Sequence, residues 1–144
     1  MNSLLGDVYL AYHVLGRMVA RDLHEASVSM PEALVLRVVR INRRTTMREL
    51  LEVTGACNST MASLVTRLEM RGLLERHQLA GDLRHTLIRA TRLGRLVGGM
   101  VGPSLEHIEE DLAVHVTLEE REGIAALAAG LSSLERPDFV SRLD

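Results

Sequence analysis

From Leu4 to about His24, Leu5, Val8, Tyr12, Leu15, Val19 and Leu23 recur at helical spacing, with Arg17, Arg21 and Asp22 off that line. This predicts a long amphipathic helix. The stretch "SVSMPEALVLRVVRINRR" predicts a turn into a second helix, with Pro31 in its first turn, where a missing N–H costs nothing. Leu34, Val35, Val38 and Ile41 form the expected apolar stripe of that helix, and Arg37, Arg40 and Arg44 line another side. In "TTMRELLEVTGA", Thr45 or Thr46 is placed to cap a short helix carrying Met47, Leu50 and Leu51, and Gly55 to leave it through a turn. Met61, Leu64, Val65 and Leu68 then fall at i, i+3, i+4 and i+7, opposite Ser59, Ala62, Ser63 and Thr66, with Thr60 and Arg67 flanking. Two helices joined by a tight Gly-containing turn form a helix-turn-helix pattern. The short polar side chains of the second helix allow its backbone a close approach to base edges.

Past Gly72 the pattern changes. Leu73 to Leu79 predicts one strand, Ala80 to Leu83 a turn, and Arg84 to Thr91 a returning strand. A two-stranded hairpin needs the helices beneath it for stability, and behind a helix-turn-helix it makes a wing with Arg84 and His85 at its basic tip. Leu93, Leu96, Val97 and Met100 begin a further helix, but Gly98, Gly99, Gly102 and Pro103 fall within six residues, which predicts a break or kink. Leu105, Ile108 and Leu112 resume the pattern. Thr117 and Glu120 form a capping box for a last helix marked by Ile124, Leu127, Ala128 and Leu131, and "ERPDFVSRLD" reads as peripheral. Three outer helices with apolar stripes exceed what the central unit needs, so the first and the last two are expected to pack on their symmetry mates in a two-fold dimer.

The chain has 144 residues, enough for one substantial core with a dimerisation layer. Aromatic residues make up 2%, with no Trp, which leaves little for base stacking and argues against readers of single-stranded nucleic acid. Cys57 is the sole cysteine; it excludes an intrachain disulfide and a Cys-clustered zinc site, and points to the cytoplasm. Asp7, Arg17, Arg21 and Asp22 interrupt the N-terminal apolar stretch, which reads as a helix and not a signal peptide, and no apolar run has the length of a membrane span. The net charge of -2 conceals a sorting: residues 37 to 95 hold twelve arginines against five acids, while the rest holds five arginines against fourteen acids. Every Lys or Arg position is Arg, which supplies the planar donor fork used on phosphates and guanine edges.

In this order the elements resemble the MarR family of winged helix-turn-helix transcriptional regulators. The likeness rests on "TTMRELLEVTGACNSTMASLVTRLEMRGLLER" and on the wing "AGDLRHTLIRATRLGR", and runs more loosely over the whole chain. Glu49, Leu50, Gly55, Ser59, Thr60, Leu64, Val65, Arg67, Leu68, Glu69, Arg71, Gly72, Leu73, Glu75 and Arg76 fit the family's helix motif, and Asp82, Arg84, Thr91 and Gly94 its wing signature. Cys57, Asn58, Ser63, Leu83 and Ala90 depart from it. The resemblance implies a mainly α (α+β) fold, a winged helix-turn-helix with N- and C-terminal dimerisation helices. As a single MarR-like domain over 1–144, it would hold the DNA-binding region in 30–92 and dimerisation helices mainly in 1–28 and 105–136. It also implies that the helix from about Asn58 to Arg71 enters the major groove, that Arg84 reaches the minor groove, and that Asp82 braces the wing tip.

The expected DNA-binding residues are Arg44, Thr46, Asn58, Ser59, Thr60, Ser63, Thr66, Arg67, Arg84 and His85. The first two would hold phosphates without reading sequence. Expected partners are double-stranded DNA with a pseudo-palindromic operator, a second copy of the chain, and a small organic effector of the kind the resemblance implies. Tyr12, His13 and Arg17 offer polar handles to such a ligand, although an amphipathic dimer helix would carry such residues anyway. Other chemistry is poorly served. His13 and His24, like His107 and His115, miss the i, i+4 spacing of paired metal ligands. His107 with Glu110 or Asp111 makes at most a partial site, and His77 and His85 read as cross-strand neighbours on the wing. Without a phosphate loop or nucleophile elbow, and with Glu109, Glu110 and Asp111 reading as a solvated face, no enzyme, cofactor or metal is expected. The expected function is a ligand-responsive repressor acting as a homodimer. Two alternatives stand beside it: a winged-helix protein-interaction module with weak or lost DNA binding, motivated by Asn58 and Ser63, and a redox-sensing regulator using the Cys57 thiol at a helix start.

Overall fold

The computed structural model describes residues 3–79 and 82–134, and the side chains of all of these but 79 and 82–85. The elements run α1 (Leu4–Asp22), a 3-10 turn (His24–Ala26), α2 (Met30–Ile41), β1 (Thr45–Thr46), α3 (Met47–Thr54), α4 (Asn58–Met70), β2 (Leu74–Leu79), β3 (Asp82–Ala90), α5 (Arg92–His115) and α6 (Leu118–Leu134). Two compact units divide the chain, Met1–Ile108 and Glu109–Asp144.

The first unit is built around α2, which touches α1, α3, α4 and β3. Ala33, Val35, Leu36 and Val39 of α2 are buried, whereas Ile41, expected in its apolar stripe, is 69% exposed. A helix covered on several sides buries more than one stripe: of the expected residues Val35 is buried and Leu34 and Val38 pack on the core, and only Ile41 falls outside it. Glu32, although nearly buried, is well satisfied: its carboxylate accepts from the Ser29 backbone N–H at 2.8 Å and hydroxyl at 3.0 Å. It also lies 3.6 Å from Arg71 and 4.0 Å from Arg67, and thereby ties the start of α2 to α4.

The wing is a three-stranded antiparallel sheet in the order β1-β3-β2, not a lone hairpin. Thr45 lies opposite Ile88 and Thr46 opposite Leu87, so β1 fastens the hairpin to the start of α3. His77 lies opposite Leu87, not His85, and the register shifts after Gln78. The turn at Ala80 and Gly81 falls outside the described residues, as does the peripheral C-terminal stretch from Glu135.

The glycine and proline cluster interrupts nothing: α5 is one helix through Pro103. Gly94, Gly98 and Gly102 are spaced by four and are buried on one face. A Cβ at Gly94 would collide with the Leu73 carbonyl oxygen, and one at Gly98 or Gly102 would press on the Arg40 side chain. Thr91 clamps the same junction, donating to the Gly72 carbonyl at 2.6 Å and accepting from the Gly94 N–H at 3.0 Å. Close approach therefore offsets the poor helix propensity of these glycines.

The second unit holds the end of α5 and α6. Its helix start was foreseen: the Glu120 carboxylate accepts from the Thr117 backbone N–H at 2.8 Å and hydroxyl at 2.9 Å, and the Glu120 N–H donates back to that hydroxyl. No residue of α6 is buried within the described chain, and Leu118, Ile124, Leu131 and Leu134 are exposed.

Candidate nucleic-acid interface

The helix-turn-helix is assembled by local chemistry. Thr46 caps α3, accepting from the Glu49 N–H at 3.3 Å while its own N–H and hydroxyl donate to the Glu49 carboxylate at 2.7 and 3.0 Å. These bonds hold that carboxyl below its ordinary pKa. Gly55, at φ 64°, ends the helix in the left-handed region, where glycine is unstrained. The turn delivers α4, whose Met61, Leu64, Val65 and Leu68 are all buried.

Their burial fixes what α4 presents to solvent. Asn58, Ser59, Thr60, Ala62, Ser63, Thr66 and Arg67 are all exposed on it, a face of short polar groups with one arginine. Arg67 is steered by Glu32, while Arg76 of β2 donates to the Thr66 hydroxyl at 3.3 Å and pairs with Glu69 at 3.0 Å. Arg71 donates to the Ser27 carbonyl at 3.0 Å. The supporting set of Glu32, Arg71 and Arg76 was missed from sequence, although the Ser29-x-x-Glu32 spacing carries the capping-box signature that marks the first of them.

Cys57 occupies the N-cap of α4. Its exposed sulfur lies 3.3 Å from the Ser59 hydroxyl and 3.1 Å from that of Thr60. Hydrogen bonds from Ser59 first, then from the Thr60 hydroxyl and backbone N–H, pull the thiol down to about 7. Donors aimed at sulfur favour the thiolate.

The other expected site residues are scattered. The Thr46 hydroxyl is engaged by Glu49. Arg44 lines a cleft with Arg40, Arg43, Arg89 and Arg95. Arg84, His85 and Asp82 lie on β3, with side chains outside the described set. Tyr12, His13 and Arg17 are exposed on α1, where the His13 ring meets Tyr9 at 4.2 Å and Tyr12 at 5.4 Å. Among the described residues no three His, Cys, Asp or Glu side chains gather as metal ligands, and no helix is long and apolar enough to cross a membrane.

The sequence profile of the MarR family matches residues 28–86, the stretch from the start of α2 to the middle of β3. The transcriptional regulator HosA of Escherichia coli is 26% identical over 117 residues, covering 78% of this chain and 87% of HosA. Among solved structures, the Mycobacterium tuberculosis transcriptional regulator MosR in complex with DNA superposes with a TM-score of 0.80 at 20% identity, covering 94% of this chain and 100% of that one. Bordetella bronchiseptica BpsR, from a structure describing regulation of its DNA binding by 6-hydroxynicotinic acid, gives 0.74 at 20% identity, over 91% of this chain and 94% of that one. With the capped α3, the buried stripe of α4 and the sheet behind it in the same order as the profile, residues 28–86 match the MarR family, and the chain has the winged helix-turn-helix fold of these solved regulators.

Proposed function

We propose that the protein is a sequence-specific double-stranded DNA-binding regulator, acting as a homodimer on a pseudo-palindromic operator and released by a small organic effector. The observation that carries this reading is the exposed Ser/Thr face of α4 set on a fully buried apolar stripe. Small side chains there let the helix sit deep in the major groove, with Arg67 beside them to bond base edges or phosphates. Arg84 and His85 at the wing, braced by Asp82, would enter the minor groove, whose negative potential favours Arg. Arg44 and the start of α3 at Thr46 would hold the phosphate backbone.

In this reading 30–92 is the DNA-binding region, and 1–28 and 105–136 mainly the dimerisation helices. Apolar residues exposed on α1 and α6 support the pairing. A dimer spanning two half-sites must hold its two α4 helices about 34 Å apart, so a ligand that changes this spacing releases the operator. BpsR, whose DNA binding responds to 6-hydroxynicotinic acid, supports an effector of that general kind. Tyr12, His13 and Arg17 are the groups on α1 available to bond it.

The test is titration of the protein against duplex fragments from upstream of its own gene at several salt concentrations, alongside Arg84→Ala and Ser63→Glu. One fragment is expected to bind tightly, with affinity falling as salt rises. Arg84→Ala should weaken binding, and Ser63→Glu should abolish preference between fragments while leaving the circular dichroism unchanged. Weak binding, equal for all fragments and blind to both substitutions, would overturn the reading in favour of a protein-interaction module.

A further inference from the structure

Five arginines of the first unit face a carboxylate: Arg21 faces Asp22, Arg48 Glu52, Arg67 and Arg71 Glu32, and Arg76 Glu69. A second group does not. Arg40 in the last turn of α2, Arg43 and Arg44 just after it, Arg89 on β3 and Arg95 on α5 line one open cleft of about 540 Å³, and none has an ion-pair partner among the described residues. The one acid in its lining, Glu75, has its Oε1 2.8 Å from the His77 Nε2.

The strand register separates this cleft from α4. Leu74 and Arg76 lie opposite Ala90 and Ile88, and Arg76 reaches Thr66 and Glu69 of α4. Glu75 and its partner Arg89 alternate with these and so project from the other face of the sheet. Two of the guanidiniums are fixed by backbone: Arg95 donates to the Ala90 carbonyl at 2.9 Å and Arg40 to the Gly98 carbonyl at 3.5 Å, in the space left by Gly98 and Gly102. The Nε of Arg89 is shielded from solvent and has no acceptor among the described residues.

We propose that this cleft is a binding site for a compact organic polyanion carrying at least two phosphate or carboxylate groups. Five guanidiniums against one carboxylate leave a net excess of positive charge that anionic oxygens would offset, and a monoanion neutralises too little of it. The planar forks match phosphate and carboxylate oxygens in pairs, and the Arg89 Nε gains its missing acceptor. The site does not depend on DNA binding by α4.

The experiment is calorimetric titration of the full chain with pyrophosphate, with citrate and with acetate at constant ionic strength, on wild type, Arg89→Gln, Arg43→Gln and Arg121→Gln. Pyrophosphate or citrate should bind saturably, one per chain, and acetate should not. Preference for pyrophosphate identifies a phosphate ester as the natural class, and preference for citrate a polycarboxylate. Arg89→Gln and Arg43→Gln should each weaken binding about tenfold or more, while Arg121→Gln, on α6, leaves it unchanged. Two results overturn the proposal: heats no larger than those for acetate, or loss of duplex DNA affinity in Arg89→Gln without any saturable small-anion binding, which would make the cleft a phosphate track for DNA.

Discussion

A cysteine at a helix start behaves according to what surrounds its sulfur, and at Cys57 that means two hydroxyls and a backbone N–H within reach of an exposed atom. A lowered thiol pKa means that thiolate accumulates at lower pH than in an unperturbed cysteine, which titrates near about 8.5. The rate of Cys57 alkylation by iodoacetamide should therefore rise with pH to a midpoint near 7. Because the Ser59 hydroxyl is the leading cause, Ser59→Ala should move that midpoint upward. A midpoint near 8.5 in the wild type, or no change in the variant, would show that these hydroxyls do not hold the thiolate. If α4 enters DNA as proposed, a bound operator should also slow the reaction, because Cys57 immediately precedes the reading face. The sequence revealed the position of this thiol but not its partners, because nothing in the chain order states which hydroxyls the sulfur meets.

Glycines in α5 separate two roles that composition alone confounds. Gly94 sits against the Leu73 backbone, which cannot swing aside as a side chain can, whereas a Cβ at Gly99 meets nothing within 4 Å. Gly94→Ala should destabilise the fold by roughly 1–3 kcal/mol, the usual range for overpacking. Gly99→Ala should stabilise it by up to about 1 kcal/mol through helix propensity. Thermal or urea unfolding of the two variants decides the matter, and equal effects of the same sign would refute the close-approach account of the helix. The same contrast explains what was legible in the sequence. The i, i+3, i+4, i+7 stripe of Met61, Leu64, Val65 and Leu68 located α4 because that helix has one buried face and one solvent face. The two-residue β1 is too short to show a period, and α2 is covered on too many sides to show one stripe. The tolerance of α5 for its glycines depends on Leu73 and Arg40, which lie far from them in sequence. The polar face of α4 followed from its stripe, but the Arg89 cleft required the strand register.

At the scale of the whole molecule, the apolar surface left exposed is concentrated on the outer helices. Leu4, Leu5, Tyr9, Leu10 and Tyr12 lie open on α1, and Leu118, Ile124, Leu131 and Leu134 on α6. Burying one such leucine or isoleucine side chain contributes about 1.5–3 kcal/mol, so a two-fold interface made from a few of them would hold two chains together at micromolar concentration. Sedimentation of the wild type should then report a dimer. Ile124→Glu with Leu131→Glu should give a monomer that keeps its helical circular dichroism, since neither side chain belongs to the core. On a face that only meets water, the same two substitutions would change stability by no more than about 0.5 kcal/mol each and leave sedimentation untouched. The link to function is geometric. A monomer carries a single α4 and can occupy only one half-site, so the double variant should lose most of its affinity for a full operator while its weak, salt-sensitive binding to any duplex remains. A variant that stays dimeric would place the interface elsewhere. A monomer that binds the operator as tightly as the wild type would show that recognition does not need two copies, and would remove the spacing mechanism by which an effector is proposed to release DNA.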